Sequence, residues 1–288
     1  MLPHSRERCR LFRWAYRRVY RLPDILLVHT ERARRQLIEQ FGVPDAKIRV
    51  ISIGLNEEML LTALTRSNAR ARLGFGDGEQ LILFFGKIDE YKGLDLLIDA
   101  FDLLGLPATR LVIAGVFRSS AYRERILAAI AASRRQADIR LHERSIPNEE
   151  VEVFFKGCDV LCLPYRNIYQ SGLIFLAPRF GLPVITTNVG SLAEFVGDGL
   201  GLTTKTNDAN GIKEALFDFF SVPDHFRKED IVALAQKYRW DKICQALVPL
   251  YEPNDGGEAA IDGRSEGNAP TEPKRLQSAN SPVVGRHR

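Results

Sequence analysis

The sequence predicts an α/β fold in which a doubly wound parallel sheet occupies residues 51–251. Strand-like and helix-like segments alternate through this region, which is the pattern of a sheet with helices packed on both faces. Its strand-like runs are also continuously apolar, as in LILFFG at 81–86, whereas a strand with one solvent-exposed face would alternate apolar and polar residues. Both observations favour strands that are covered on two sides.

Six strands are predicted in this region, with helices between them. The strand-like runs occupy 81–86, 110–115, 138–142, 159–165, 183–187 and 200–204. Apolar residues recur at helical spacing from Leu94 to Leu104, and further helical stretches lie near 121–135, 148–156, 172–181, 191–196 and 208–220. Ligands of such folds bind at the carboxyl ends of the strands. We therefore expect the functional residues directly after Phe85, Ala114, Leu163 and Thr186.

The first 50 residues predict too few elements to form a domain of their own. DILLVHT at 24–30 is strand-like, residues 31–42 are helix-like, and residues 47–54 are strand-like again. This stretch is interpreted as the end of an incomplete domain. Such a fragment is expected to leave apolar side chains uncovered and to favour self-association or a partner. The candidates are Ile25, Leu27, Leu37 and Ile38.

The remaining composition excludes several classes of protein. The chain has 288 residues with 45% hydrophobic and 26% charged residues and a net charge of +4, so it is neither a disordered protein nor strongly basic. Four cysteines without a C-x-x-C pair predict reduced thiols in a cytoplasmic protein rather than disulfides or zinc. No apolar run reaches a membrane-spanning length, and no signal peptide is predicted. Residues 252–288, rich in Gly, Pro, Ser and charge, predict a disordered tail.

Two lysines follow the first strand of the predicted sheet. Gly86 ends that strand, Lys87 comes next, and Lys92 lies five residues later at the start of a helix. Ammonium groups near a helix N-terminus suit an anion such as a diphosphate. The alternative is that both are solvated lysines on a surface loop.

A second candidate follows the strand at 159–165. Ser171 is placed to cap the next helix, and Gly172 would let a phosphate reach the free N–H groups of its first turn, including that of Leu173. The alternative is a capped helix without a ligand. Further along, Ser191 and Glu194 have the spacing of a capping box, so Glu194 has a local structural explanation.

Three blocks of the sequence together resemble the donor-binding half of a retaining glycosyltransferase. They are GKIDEYKGLDLLIDAF at 86–101, LVIAG at 111–115 and CDVLCLPYRNIYQSGLIFLAPRFGLPVITTNVGSLAEFV at 158–196. Their order and spacing are similar to those of the group 1 (GT4-type) family, which has the GT-B fold of two Rossmann-like domains. The resemblance implies that residues 51–251 form the Rossmann-like domain that binds a nucleotide sugar.

The resemblance also implies roles for particular residues. Lys87 and Lys92 would hold the diphosphate of the donor, and the helix that begins at Ser171, Gly172 and Leu173 would point its N-terminus at the same phosphates. The segment HERSIPNEE at 142–150 is similar to the family's nucleobase loop. Within it, Arg144 and Ile146 are the residues expected to contact the base.

The sequence departs from the family pattern at two positions. The family has two glutamates eight positions apart, one for the donor sugar and one for the ribose, where this chain has Ile168 and Leu176. Neither side chain can accept a hydrogen bond, so Gln170 or Glu194 is the candidate substitute. Pro178 lies inside the same predicted helix and is expected to kink it.

The resemblance further implies that residues 1–50 are the end of an acceptor-side domain, truncated at its N-terminus, with the interdomain crossing at 47–54. The chain alone is expected to have little activity. We expect it either to self-associate or to be complemented by a separately encoded N-terminal half. Residues 5–22 carry seven arginines together with Phe12, Trp14, Tyr16 and Tyr20. They predict either a peripheral contact with the anionic inner face of a membrane or an ordinary helix of that domain. Nucleic acid is a poorer interpretation, because the charge is confined to one short segment.

The predicted function is transfer of a sugar from a nucleotide-diphosphate sugar to an acceptor, either lipid-linked or a polysaccharide. No cofactor is expected, and no metal, because His, Asp and Cys do not cluster in the sequence. Two alternatives belong to other classes of protein. In the first, the chain is a non-catalytic module that binds a nucleotide sugar, either as a remnant or as one subunit of a split transferase. In the second, it is a structural protein that binds no nucleotide.

Overall fold

The centre of the protein is a six-stranded parallel sheet in the computed structural model, which describes residues 10–57, 59, 61–197, 199–222 and 226–251. The strands in this part of the chain are β1 (Leu26–Val28), β2 (Ile48–Val50), β3 (Gln80–Phe85), β4 (Thr109–Gly115), β5 (Ile139–Glu143), β6 (Val160–Leu163), β7 (Val184–Thr186) and β8 (Gly201–Thr203). The large sheet has the order β5-β4-β3-β6-β7-β8, and β1 pairs with β2 in a separate parallel sheet.

Helices connect these strands and cover the large sheet. They are α1 (Arg10–Val19), α2 (Glu31–Phe41), α3 (Arg66–Leu73), α4 (Leu94–Leu103), α5 (Ser120–Ala132), α6 (Asn148–Gly157), α7 (Leu173–Leu176), α8 (Leu192–Val196), α9 (Ala209–Ser221), α10 (Lys228–Ala235) and α11 (Trp240–Gln245). The strand β3 shows why two layers of helices are needed. Its residues Leu81 and Leu83 belong to one hydrophobic cluster, and Ile82 and Phe84 belong to the cluster on the opposite face. The predicted doubly wound parallel sheet is therefore confirmed.

The strand order reverses between β3 and β6, which makes this the topological switch point of the sheet. In open α/β sheets, ligands bind in the crevice outside the carboxyl ends of the strands at such a point. Two glycines allow a close approach there. A Cβ on Gly115 would lie 1.8 Å from the carbonyl oxygen of Gly86, and both glycines have positive φ angles. The ends of β3 and β4 are thus held together without side chains between them.

The N-terminal elements form a small unit with its own hydrophobic cluster. Helix α2 packs Leu37 and Phe41 against Ile48 of β2, and Tyr16 and Tyr20 pack their rings on Phe41. The prediction that Leu37 would be uncovered is wrong, because only 4% of it is exposed inside this cluster. The prediction is also wrong for Ile38, which is partly buried against the same cluster.

The other two apolar residues of that prediction lie at the surface. Ile25 and Leu27 are 36% and 43% exposed, and Leu27 is on the side of its strand that faces away from α2. Their neighbours Leu26 and Val28 pack into the cluster instead. The division of the chain at residue 50 and the membrane contact of residues 5–22 remain predictions. The predicted tail at 252–288 lies outside the described residues, as do residues 5–9.

The helix predicted at 172–181 is interrupted as expected from Pro178. Helix α7 ends at Leu176, and a 3₁₀ turn over Ala177–Phe180 contains the proline within its first two positions. Gly181 ends this turn with a φ of 69°. Because a proline ring cannot donate a backbone hydrogen bond, a tighter turn replaces the regular helix.

Candidate functional site

A cleft of 480 Å³ lies at the switch point of the large sheet. It is lined by residues from the loops that follow β3 and β6, from the start of α6, and from the segment that enters the domain. The lining residues are Asn56, Met59, Phe85, Tyr91, Lys92, Ile146, Asn148, Val151, Tyr165, Ile168, Gln170, Ser171, Gly172, Leu173 and Leu176. The cleft therefore brings together Lys92, Ile146 and the predicted residues 170–173. Lys87, Arg144 and Glu194 are not among the lining residues.

Lys92 is the buried cation of this cleft. Asp89 caps the 3₁₀ turn over Glu90–Lys92 by accepting a hydrogen bond of 2.7 Å from the N–H of Glu90. Gly93 ends the turn with a φ of 68°, and a Cβ there would lie 2.0 Å from the carbonyl oxygen of Pro164. The turn is thus pressed against the end of β6, and the lysine side chain is directed into the protein.

The surroundings of the Lys92 ammonium are poor in negative charge. Only 8% of the residue is exposed, and its Nζ lies 5.9 Å from the centre of the Tyr165 ring. Among the described residues, no carboxylate forms an ion pair with it. Burial lowers the pKa of Lys92 from 10.5 to about 8; nearby Asp89 opposes this effect and Lys87 adds to it. A ligand that brought negative charge would relieve this cost of burial.

Lys87 occupies a different position. Its side chain is exposed, and the residue lies outside the cleft lining. It is close enough to Lys92 for its charge to lower the pKa of that lysine. Its contact with a diphosphate remains a prediction.

The loop after β6 places helix α7 at the cleft. The prediction that Ser171 caps this helix is wrong, because its Oγ forms a 3.0 Å hydrogen bond with the hydroxyl of Tyr165, and both groups are buried. Gly172 is the N-cap, and no side chain caps the helix. Ile174 and Phe175 already donate their N–H groups to the carbonyl oxygens of Ser171 and Gly172, so the N–H groups of Gly172 and Leu173 are the ones left open to a ligand. A Cβ on Gly172 would meet no described atom within 4 Å, which leaves room for a ligand to approach.

Much of the cleft lining is apolar. Ile168 and Leu176 both line the cleft, with Phe85 and Val151 nearby. No carboxylate occurs among the described lining residues. Gln170 also lines the cleft, and its buried Nε2 has no hydrogen-bond partner among the described residues. An unsatisfied buried amide is costly, so Gln170 is the polar group of this loop that a ligand would satisfy.

Glu194 is not among the residues that line the cleft, and its contact with the donor stays a prediction. Its two carboxylate oxygens accept hydrogen bonds of 3.0 Å from the backbone N–H groups of Glu31 and Arg32, at the N-terminus of α2. The capping box within α8 is also absent, since Ser191 forms no side-chain cap there. The Ser191 hydroxyl instead lies 3.0 Å from that of Thr30. Glu194 therefore caps a helix that is distant in the sequence.

The two residues predicted to contact the nucleobase are separated by the structure. Ile146 lines the cleft, whereas Arg144 is exposed and pairs with Glu150, with 3.2 Å between Arg144 Nη1 and Glu150 Oε1. The contact of Arg144 with the base stays a prediction. Tyr91 and Tyr165 line the cleft but were not predicted. Tyr165 follows a buried strand by two residues, and that position was the available signal.

A second cleft, of 540 Å³, lies at the amino ends of the strands of the same sheet, next to residues that precede β3, β6 and β7. Its central charges pair with one another. Arg66 pairs with Asp159, and Lys156 pairs with Glu152 at 2.5 Å. Arg70, which is fully buried, binds the same Asp159 at 2.7 Å. Lys228 also lines this cleft; it has no ion pair among the described residues, but it is exposed to solvent.

The described residues contain no group of three or more His, Cys, Asp or Glu side chains that could hold a metal ion. They also contain no helix long and apolar enough to cross a membrane. Cys158, Cys162 and Cys244 are free thiols.

The fold and this cleft define an α/β domain with a cleft that holds a buried lysine at the switch point of a parallel sheet. A family model for the group 1 glycosyl transferases matches residues 65–231, which is more than half of the chain. The protein therefore belongs to the group 1 glycosyltransferases, and the resemblance of its sequence blocks is confirmed.

Curated relatives are similar in sequence, and solved structures have a similar fold. The D-inositol 3-phosphate glycosyltransferase of Streptomyces scabiei is 27% identical over 245 residues, covering 81% of this chain and 54% of the relative. Sucrose-phosphate synthase from Thermosynechococcus elongatus has a similar structure, with a TM-score of 0.69 and 22% identity over 87% of this chain and 63% of that one. Anabaena HepE in complex with UDP has a TM-score of 0.69 and 15% identity over 81% and 64%. The chain spans about half the length of the curated relatives it matches.

Proposed function

We propose that the switch-point cleft binds the diphosphate of a nucleoside-diphosphate sugar and that the protein takes part in transferring this sugar to an acceptor. The observation that carries the proposal is the Lys92 ammonium, which is buried beside the open N-terminus of α7 without a carboxylate partner among the described residues. Membership of the group 1 glycosyltransferases supports it.

The chemistry that such a site supplies is electrostatic. When the bond between the anomeric carbon and the diphosphate breaks, negative charge grows on the departing phosphate oxygen. A fixed ammonium and fixed N–H dipoles stabilise this charge without reorganising, which is how preorganised sites lower a barrier. Lys92 and the N–H groups at Gly172 and Leu173, which line the same cleft, would take this role. No metal is required in this proposal.

Uridine diphosphate is the appropriate first probe, because the similar structure of Anabaena HepE was determined with UDP. The sugar would extend from the diphosphate, and the base would lie toward Ile146 and Asn148, which line the cleft at the start of α6. The acceptor is proposed to be lipid-linked or a polysaccharide. We place the reaction in the cytoplasm, with α1 as a peripheral membrane contact.

A test of the site compares UDP binding by calorimetry in the wild type, Lys92→Met and Lys205→Met. Methionine keeps the length of the side chain and removes its charge, and a hydrogen bond to a charged group is worth about 1.5–3 kcal/mol, or roughly tenfold or more in affinity. Lys205 is a matched control, because its side chain is 78% exposed and lies outside the cleft. Equal UDP affinity in all three proteins would remove the diphosphate assignment.

One alternative is a nucleotide-sugar-binding module without turnover. It is favoured by Ile168 and Leu176, which place apolar side chains where the family pattern has glutamates. The two proposals differ in one measurement, which is release of UDP from UDP-sugars in the presence of lipid and soluble acceptors. Tight binding of UDP without release from any donor would select the module, and acceptor-dependent release would select the transferase.

A further inference from the structure

We propose that Glu194 is a positioning residue for the switch-point cleft: it holds the N-terminus of α2 against the loop at 188–191, and this loop holds the residues at 168–171 that line the cleft. The proposal rests on the proposed function only for the identity of the ligand. It assigns to Glu194 a role outside the cleft and links the N-terminal unit to the site.

The first half of this chain of contacts joins α2 to the loop. Both oxygens of Glu194 are occupied by the N–H groups of Glu31 and Arg32 at 3.0 Å, where the positive end of the helix dipole favours a carboxylate. The guanidinium of Arg32 donates to the carbonyl oxygen of Gly190. The start of α2 is therefore bound to the loop through side-chain and backbone groups of both segments.

A buried pair of hydroxyls completes this joint. Thr30 and Ser191 are 3% and 1% exposed, and their oxygens lie 3.0 Å apart. The Thr30 hydroxyl also accepts a hydrogen bond from the N–H of Ala33 and so caps α2. A different docked position that buried these hydroxyls without pairing them would cost free energy, which makes the observed position specific.

The second half joins the loop to the cleft through the backbone. The N–H of Ser191 donates to the carbonyl oxygen of Tyr169 at 3.0 Å. Gly190 has a φ of 56°, and a Cβ there would lie 2.0 Å from the carbonyl oxygen of Ile168. Ile168 and Gln170, on either side of Tyr169, both line the cleft. A shift of the loop at 188–191 therefore moves the wall of the cleft with it.

The direct test measures amide hydrogen exchange in the segment 188–192 for the wild type, Glu194→Ala and Asp45→Asn. The N–H of Ser191 in this segment donates to the carbonyl oxygen of Tyr169, so its protection reports the joint between the loop and the wall of the cleft. Asp45 is the matched control, because it is an exposed carboxylate that pairs with Arg34 within the N-terminal unit, at 2.7 Å, and does not touch the loop. We expect Glu194→Ala to speed exchange at Ser191 by roughly fivefold or more, as local opening becomes easier, and Asp45→Asn to leave it unchanged. Exchange at Ser191 that is equal in the wild type and Glu194→Ala would overturn the proposal, whether or not any nucleotide binds.

A second measurement follows UDP affinity in the same proteins, with Glu194→Gln added. Coupling between two sites typically changes affinity by about fivefold or more, so Glu194→Ala should weaken UDP binding by at least that factor without a matching loss in Asp45→Asn. Glutamine keeps one acceptor oxygen and should give an intermediate affinity, which a general loss of folding would not. If the wild type binds no UDP, the proposed function fails, and hydrogen exchange still decides the role of Glu194.

Should Glu194→Ala fold poorly, Arg32→Ala removes only the contact with Gly190 and should change exchange in the same direction. Unchanged exchange in Arg32→Ala would then overturn the proposal.

Discussion

Two clefts lie at opposite ends of the strands of the central sheet, and they differ in how their cations are accommodated. The cleft at the amino ends is the larger, at 540 Å³ against 480 Å³. Its cations either pair with carboxylates such as Asp159 and Glu152 or, like Lys228, are exposed to solvent. At the carboxyl ends, Lys92 is buried without a carboxylate partner among the described residues. A buried and unmatched charge therefore distinguishes the cleft at the carboxyl ends, where α/β folds bind ligands, and cleft volume does not.

The largest effect is expected at the amino ends of the strands, and it is a loss of unfolding free energy. In Asp159→Ala the fully buried Arg70 loses its carboxylate, and an unpaired buried charge costs about 3–5 kcal/mol of unfolding free energy. Urea denaturation would measure this loss, and the folded protein should bind UDP normally. The control is Arg66→Ala, which removes the 54% exposed partner of the same carboxylate and should cost less than about 1 kcal/mol. An unchanged unfolding free energy in Asp159→Ala would show that the ion pairs at the amino ends of the strands do not stabilise the fold.

At the carboxyl ends of the strands, UDP affinity should depend on pH. Because the pKa of Lys92 is lowered to about 8, UDP affinity should be constant below that pH and fall by about tenfold for each pH unit above it, as the ammonium loses its proton. The unfolded chain, with a pKa near 10.5, binds more protons between pH 8 and 10.5, so the unfolding free energy rises with pH in this window and cannot explain the loss. Calorimetry from pH 7 to 9.5 would test this. Lys92→Arg, whose guanidinium stays protonated, should bind with no such dependence, and an identical decline in both proteins would contradict the assignment.

A smaller effect is expected when one glycine in each of the two clefts is replaced by valine. Gly172→Val places a side chain over the open N–H groups of α7 and should weaken UDP binding by about tenfold, the loss of one charge-assisted hydrogen bond. Gly78→Val is the matched control in the cleft at the amino ends of the strands, since a Cβ there also meets no described atom within 4 Å. Both proteins should fold as the wild type does. Similar affinity in the two variants would exclude the helix N-terminus from the site.

The smallest effect separates the two lysines. Lys87 is exposed to solvent, so Lys87→Ala should weaken UDP binding by less than about fivefold, since an exposed charge contributes at most about 1 kcal/mol. The same calorimetry at low and high salt would show that this contribution is screened. A loss as large as that of Lys92→Met would mean that Lys87 moves into the cleft when the ligand binds.

Local pattern was sufficient to predict the large sheet and one of its key residues. The strand at 159–165 was predicted two residues too long, because β6 ends at Leu163, where Pro164 cannot donate to the ladder. Lys92 could be predicted because it follows a buried strand within a few residues. Helix α3 was not predicted, since Arg66–Leu73 has four charged or polar residues in its first five and gains its burial from Arg70 and Asp159.

The errors share a physical cause, which is contact between residues distant in the sequence. Leu37 was expected to be exposed, but it packs with Phe41 and Ile48 in a cluster that only the folded N-terminal unit creates. Glu194 has a capping-box spacing from Ser191, and the N–H groups that it caps belong to Glu31 and Arg32. No local spacing reports such a partner.

The long sequence separation of the Glu194 cap has a consequence for synthesis of the chain. Glu194 follows Glu31 by 163 residues, so a ribosome moving at about 5–20 residues per second reaches it about 8–30 s later. Throughout that interval α2 can be capped only by its own Thr30, and the nascent N-terminal unit exposes the surface that later meets the loop at 188–191. The contact between α2 and this loop can therefore form only after residue 194 has been synthesised.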